Sequence, residues 1–420
     1  MASNVASGMH MATAFEPKFD VARTEQMKQL LKLSTLPEDG VEPLDDSSED
    51  LGVKLGWLKE AKTKLEDYDV KKLEGTLNTF QHFTSPVEDT IIHFVHERSP
   101  RPDAIPLIIL HGWPGRLFFD FHKIIKTLAN PDDPTQSAFH VVAPSLPGYA
   151  WSTLPRKKVF GLDDLARVFN KLMVEVLGYK EYVAQGGDWG SHILRFTGQN
   201  HSDNARLIHF NMFHGPAAGL ASYVPWVDHL PIPQWVASSI KTVMENWGLS
   251  ESEKQSLTRT NSFKKEGRGY TELQRTRPAT IGYAVATSPV ALLAYIGEKF
   301  LAWSDPATLN MDDLLATVTI YYLTSSFQTS VMIYQKCRPT RALLGDPAIW
   351  GKIKSQIAFS AFPYEIYAPP AVEIAKCGPL VQFKRHDKGG HFPALDNPAA
   401  LVDDLREFAG AHWKKVSPLA

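Results

Sequence analysis

Buried-strand runs and helical stripes alternate through most of the chain. Leu107-Ile108-Ile109-Leu110, Phe139-His140-Val141-Val142-Ala143, Tyr182-Val183-Ala184 and Leu207-Ile208-His209-Phe210 are continuous or nearly continuous apolar runs. Strands covered on both faces of a parallel sheet need such runs. Thr90 to Val95 shows instead a hairpin-like alternation, with strand character beginning near Gln81. Between the runs at 139 and 182, Leu162, Leu165, Phe169, Leu172, Met173 and Val176 recur at helical spacing, closed by Gly178. Strands and helices alternating at this pace predict a doubly wound, mostly parallel sheet, whose ligands collect at the carboxyl ends of the strands. The sheet resumes at Ile357-Ala358-Phe359 and Leu380-Val381-Gln382-Phe383, and a helix from Ala399 to Phe408 closes it.

Two segments break the rhythm. Ahead of any convincing strand, Met27, Leu30 and Leu31 mark one helix and Leu58, Ala61, Leu65 and Tyr68 a second, begun at Trp57 and separated from the first by an acidic loop, Glu38 to Asp50. They predict an N-terminal helical extension over 16–80, with Met1 to Phe15 excluded from fold reasoning. The core then occupies 81–214 and 346–420. Between its halves, 215–345 opens rich in Trp and Pro (Pro216, Pro225, Trp226, Pro231, Pro233, Trp235) and turns helical, with Leu292, Leu293, Ile296 and Phe300 on one face and a further run from Asp312 to Tyr322. With no buried-strand run in it, this stretch predicts an inserted helical lid.

Composition narrows the functional classes. At 420 residues, with 44% hydrophobic and 21% charged residues, the chain is an ordinary globular one. Its net charge of -2 offers no electrostatic case for nucleic acid or an anionic membrane surface. Cys337 and Cys377 are too few for a disulfide framework and lack metal-ligand spacing, so no metal or cofactor is expected. No run reaches the roughly 18 apolar residues of a membrane span. Met1 to Phe15 lacks the pattern of a secretory signal. A soluble, cytoplasmic protein without membrane anchor is the expectation.

The candidate chemistry begins where the run at 182 ends, at Gln185-Gly186-Gly187-Asp188-Trp189-Gly190-Ser191. Gly186 and Gly190 bracket Asp188 in the pattern of a nucleophile elbow between a strand and a helix. In this architecture the acid and the histidine follow the nucleophile in chain order. His391, on the Gly389-Gly390 turn after the last strand, is the candidate base among 15 histidines. Glu365, after the run at 357, is the candidate orienting acid. The alternative acid position, after Phe210, holds Asn211 and Met212, which cannot serve. Asp387 and Asp396 lie on the loop of His391 itself and read as solvated charges. Backbone donors for an oxyanion would come from Trp189 and from Trp113 in His111-Gly112-Trp113-Pro114-Gly115.

An Asp nucleophile selects saturated carbon, because attack on an acyl group would give an anhydride. Attack on a carbon bearing a leaving group gives an ester, which a histidine-activated water can hydrolyse. A carbon–halogen bond and an epoxide both fit; the epoxide needs an acid for its oxygen, for which tyrosine hydroxyls suit. Tyr223, Tyr270, Tyr283, Tyr295, Tyr321, Tyr322 and Tyr334 are all available in the lid, and spacing does not choose among them. A haloalkane or haloacid dehalogenase using the same Asp188 is the alternative, and a binding protein that kept the fold without the chemistry is a third.

The joint set of His111-Gly112-Trp113-Pro114-Gly115, Gly187-Asp188-Trp189-Gly190-Ser191, Arg277-Pro278-Ala279-Thr280-Ile281-Gly282, Ser288-Pro289, Phe359-Ser360-Ala361-Phe362-Pro363 and Gly389-Gly390-His391-Phe392 resembles the microsomal-type epoxide hydrolases, in particular their soluble fungal members. The resemblance spans nearly the whole chain. It implies an α/β-hydrolase fold with lid and N-terminal extension, and no cofactor. It implies Asp188 as nucleophile, Glu365 as acid and His391 as base, and it singles out Tyr270 and Tyr334 as the pair that holds the epoxide oxygen. Asn or Glu usually stands at the position of Trp113 in the dehalogenase relatives, which favours the epoxide. The aromatic lid points to a small apolar or aromatic epoxide, with water as second substrate, in a setting of detoxification or aromatic hydrocarbon catabolism. A homodimer is compatible with the same reading.

Overall fold

Buried apolar runs become the strands of a nine-stranded sheet in the computed structural model, which describes residues 12–41, 51–115, 117–157, 160–214, 231–236, 249–346, 348 and 352–417. The opening of the lid, with Pro216, Tyr223, Pro225 and Trp226, and part of the acidic loop lie outside these residues. The strands are β1 (Thr13–Phe15), β2 (His82–Val87), β3 (Thr90–Glu97), β4 (Ile105–Leu110), β5 (Phe139–Pro144), β6 (Tyr182–Gly186), β7 (Ala205–Phe210), β8 (Gln356–Ala361) and β9 (Leu380–Arg385). Their order is β1-β2-β3-β5-β4-β6-β7-β8-β9. From β5 onward all pairings are parallel, whereas β1, β2 and β3 form an antiparallel edge joined to β5. Two apolar clusters fill the two faces of the sheet, which is why β4 to β7 have scarcely a polar residue.

The N-terminal segment differs from expectation at two points. β1 pairs with β2 ahead of the first helix, with Ala14 opposite Phe83. A three-residue strand carries too little alternation to be read, and it is held here by the open edge of β2. After α1 (Val21–Leu33) and α2 (Leu55–Glu66) comes a third helix, α3 (Val70–Leu77). Asp69 caps it and Val70, Leu73 and Leu77 form its buried side, a stripe too short to stand out from sequence.

The core helices α4 (Ile125–Ala129), α5 (Leu162–Lys171) and α6 (Asp188–Asn200) follow. The apolar stripe continues past α5 into a π-turn at Leu172–Val176, ending before Gly178, whose φ of 78° suits only glycine comfortably.

Between β7 and β8 the described residues are helical: α7 (Glu251–Lys265), α8 (Gly269–Thr276), α9 (Pro278–Ala286), α10 (Pro289–Trp303), α11 (Met311–Leu323) and α12 (Met332–Lys336) are the helices that bear on the site. Pro278 and Pro289 each occupy the first turn of a helix, where a missing N–H costs nothing. The insertion is also fastened to the N-terminal segment. Trp57 of α2 packs so closely on Gly297 of α10 that a Cβ there would meet the indole at 2.5 Å, and Arg23 Nε of α1 donates to the Tyr322 carbonyl at 2.9 Å. The closing helix α13 (Pro398–Val416) runs eight residues beyond Phe408, because Trp413 carries the buried face onward.

Among the described residues, no single helix is long and apolar enough to cross a membrane. Both cysteines are buried free thiols.

Candidate active site

The elbow forms where β6 gives way to α6. Gly187 caps the helix, and Asp188, its first residue, takes a φ of 43°, in the left-handed region that costs a side-chain-bearing residue about 1–2 kcal/mol. The two flanking glycines make that turn possible. A Cβ on Gly190 would overlap the Leu110 carbonyl oxygen at the end of β4, and one on Gly186 would sit 2.8 Å from the Gly190 carbonyl carbon. The elbow is thus packed backbone to backbone, and the Asp188 carboxylate projects above the sheet at the start of a helix, where the helix dipole favours negative charge.

The loop after β4 lies over this carboxylate. The Trp113 N–H donates to Asp188 Oδ1 at 2.7 Å, and a Cβ on Gly112 would occupy the space that Asp188 fills. His111 ties the loop down: its Nδ1 faces the Gly112 carbonyl at 3.0 Å and its Nε2 accepts from the Leu146 N–H at 2.9 Å. Burial holds this imidazole down to about 4, so it is neutral and its tautomer follows from these two partners. From the lid, the Tyr321 hydroxyl donates to the Gly115 carbonyl at 2.6 Å.

Two further strand ends complete the centre. Glu365 follows β8 and is 1% exposed; both its oxygens lie 2.9–3.0 Å from His391 Nδ1. Oε1 also accepts the Tyr367 N–H at 3.0 Å. Nε2 of His391, the other ring nitrogen, is 3.5 Å from Asp188 Oδ2. The loop of His391 turns at Gly389, whose φ is 98°, and is held by the lid: the His391 N–H donates to the Trp303 carbonyl and the Gly389 N–H to Asp305 Oδ2, both at 2.9 Å. Burial alone would lower the proton affinity of His391. The charge of Glu365 and the hydrogen bonds and charge of Asp188 outweigh it and raise the imidazole to about 10. Asp188, Glu365 and His391, chosen at three separate strand ends in the sequence, therefore meet in one chain of contacts.

The lid tyrosines are sorted by position. Tyr270 stacks on the Trp113 indole with centroids 5.2 Å apart, and Tyr334 meets Trp113 edge-on at 5.8 Å and Trp189 at 4.8 Å. The two phenol rings are 5.8 Å apart. Both phenols are buried, and burial, with the nearby Asp188 charge adding to it, raises their proton affinity above the usual tyrosine value. By contrast Tyr283 is exposed, Tyr322 lies under the Arg23 guanidinium, and the hydroxyl of Tyr321 is committed to Gly115.

Two neighbours were read differently from sequence. Asp396 is buried, accepts from the Asp305 N–H at 3.4 Å, and is raised to about 7 by desolvation and by the Asp305 charge. The expectation of a solvated loop charge fails because α10 of the lid ends directly over the His391 loop. Asn211, seen only as an unusable acid position, accepts a hydrogen bond from Gln185 Nε2 at 2.8 Å beneath the elbow. Gln185 lay within the elbow heptad, and a buried amide at the end of an apolar strand was the available signal.

A sheet of this topology, with an acidic elbow facing a histidine–glutamate pair, defines an α/β-hydrolase-fold hydrolase, and residues 105–217 match the family described as alpha/beta hydrolase fold. Residues 12–121 match the family described as epoxide hydrolase N terminus. The chain is 34% identical to the Aspergillus niger epoxide hydrolase structure, covering 97% of this chain and 98% of that one, with a TM-score of 0.81. It is 25% identical to juvenile hormone epoxide hydrolase from the silkworm Bombyx mori, covering 97% and 96% with a TM-score of 0.82. It is also 31% identical over 393 residues to epoxide hydrolase 1 of Oryctolagus cuniculus, 88% of this chain and 83% of that one. The chain belongs to the epoxide hydrolase family.

Proposed function

We propose that this enzyme opens a small apolar or aromatic epoxide through an ester on Asp188 and hydrolyses that ester to a vicinal diol. The observation that carries the reading is the placement of Asp188 between Trp113 N–H at 2.7 Å and His391 Nε2 at 3.5 Å, with Tyr270 stacked on Trp113 and Tyr334 edge-on to it. Phenols held protonated by burial are suited to donate to an oxygen that leaves as an alkoxide.

In the first step an Asp188 oxygen attacks an epoxide carbon, the carbon–oxygen bond of the ring breaks, and a tyrosine supplies the proton to the released oxygen. The charge of Asp188 is thereby consumed. His391 loses one of the two carboxylates that raise its proton affinity, and burial shifts it toward the neutral form that acts as a base, its proton passing to the tyrosinate left by ring opening. It then takes a proton from water, whose oxygen adds to the ester carbon of Asp188. The resulting oxyanion is stabilised by the Trp113 and Trp189 N–H groups. On collapse the ester bond breaks, the departing alkoxide receives the proton from His391, and the Asp188 carboxylic acid then passes its own proton to His391, which restores the starting state. Glu365 keeps the imidazole oriented throughout.

Styrene oxide tests the scheme. Asp188→Asn should form no diol. His391→Gln should accumulate protein whose mass is raised by that of the epoxide. Diol formation surviving both changes overturns it, and halide release from a haloalkane without epoxide turnover would assign the same nucleophile to dehalogenation.

A further inference from the structure

At the elbow a cavity of about 40 Å³ is lined by Asp188 and His391 and by Gln185, Asn211, Trp113 and Phe121, and by none of the described lid tyrosines. One water needs roughly 10–15 Å³ of such space, so the volume holds about three. Gln185 and Asn211 are 1% and 2% exposed. They hydrogen-bond to each other, and among the described residues the remaining oxygen of Gln185 and the remaining nitrogen of Asn211 have no partner. Reversing both amides leaves the same balance, one free donor and one free acceptor. Buried amides are seldom left half-satisfied beside a space large enough for water. A donor and an acceptor side by side are the complement of a water molecule, which can accept from one and donate to the other. Gln185 is fixed by β6, and Asn211 has room because Gly187 lacks a Cβ: one there would meet Asn211 Nδ2 at 2.5 Å.

We infer that Gln185 and Asn211 form a water-holding site that stocks and orients the hydrolytic water for His391, and so are positioning residues for ester hydrolysis and not for ring opening. The inference rests on the ester mechanism proposed above. Water held in this cavity lies beside both Asp188 and His391, and the tyrosines that hold the epoxide oxygen are not among its walls. Substrate therefore need not leave for water to enter. The water supplies its oxygen to the ester carbon and one proton to His391, so the amides exchange no proton themselves.

The test separates the two chemical steps in the full-length enzyme with styrene oxide as probe. Asn211→Leu and Gln185→Met keep the side-chain length and remove the polar pair. Rapid quenching followed by intact-mass measurement gives the rates of ester formation and decay. Ester formation should stay within about threefold of wild type while decay slows by about tenfold or more, so that ester accumulates in steady state. Asn211→Ser, which retains a donor and an acceptor, should restore part of the decay rate. Unchanged decay in either folded variant overturns the inference, as does an equal slowing of formation and decay, the mark of a general disturbance of the elbow. Gln185→Met decides the matter if Asn211→Leu does not fold. If His391→Gln turns over with no ester at any time, the underlying mechanism fails, and that result is read independently of the amide variants.

Discussion

The Trp113 amide and the Asp188 carboxylate are locked together at 2.7 Å, and no side chain at position 112 could fit between them. Gly112→Ala is therefore expected to displace either the carboxylate or the loop. Misplacement by about 1 Å costs on the order of 10²-fold in rate. The variant should lose about that much kcat/KM for styrene oxide while its melting temperature moves far less than activity does, checked by steady-state kinetics beside thermal unfolding.

Glu365→Gln removes the charge that most strongly opposes the effect of burial on His391. The imidazole of the variant should titrate well below the value of about 10 held in wild type, observable in nitrogen-labelled histidine spectra. A mis-oriented base should slow ester decay by about 10²- to 10⁴-fold, the range for a positioned general base. Ester formation should be affected much less, because Asp188 and its Trp113 donor are untouched.

The same histidine links stability to pH. Its proton affinity in the folded chain, about 10, lies above the ordinary 6.5, so its contribution is fully present below pH 6.5 and is lost as pH rises through about 10. In urea titrations the stability advantage of wild type over His391→Gln should shrink steadily across that window. A constant difference would show that His391 is not held protonated.

Asp396 has the opposite consequence. A carboxyl raised from 3.8 to about 7 in the folded chain imposes no penalty well below pH 3.8, a growing one as pH rises from there, and the full penalty above 7. Asp396→Asn, whose carbonyl can still accept from Asp305, should gain on wild type as pH rises from 4 and exceed its unfolding midpoint at pH 8.

Removing the hydroxyls one at a time probes ring opening. Tyr270→Phe and Tyr334→Phe should each slow ester formation by about tenfold or more, and the double variant by more than either. Ester decay should be spared. Because both phenols are held protonated beyond the usual tyrosine range, wild-type ring opening should show no loss from tyrosine ionisation up to pH 10.

The parts of this molecule that were legible in its sequence share a physical cause. Strands β4 to β7 are covered on both faces and must be predominantly apolar, and the elbow must carry glycine where Gly190 meets the Leu110 carbonyl. Such demands leave a written trace. His391 and Glu365 were found because strand ends converge in a parallel sheet. Tyr270 and Tyr334 were not distinguishable from five other lid tyrosines by spacing, since what singles them out is contact with each other as well as with Trp113, across more than 150 residues of chain. β1 borrows its register from β2, and the burial of Asp396 is imposed by the end of α10; neither property resides in the residues concerned. The Gln185–Asn211 pair was hidden for the same reason, each amide being ordinary until the other is placed beside it.

Trp57 against Gly297 and Arg23 on the Tyr322 carbonyl give the inserted helices a second anchorage, separate from the one they have on the core. An insertion tethered on one side swings like a flap. One gripped on two sides behaves as a vault, and lifting it means breaking both footings together. Traffic of epoxide inward and diol outward then falls to small displacements of side chains and connecting loops, which places the N-terminal helices, remote from any reacting atom, among the determinants of turnover.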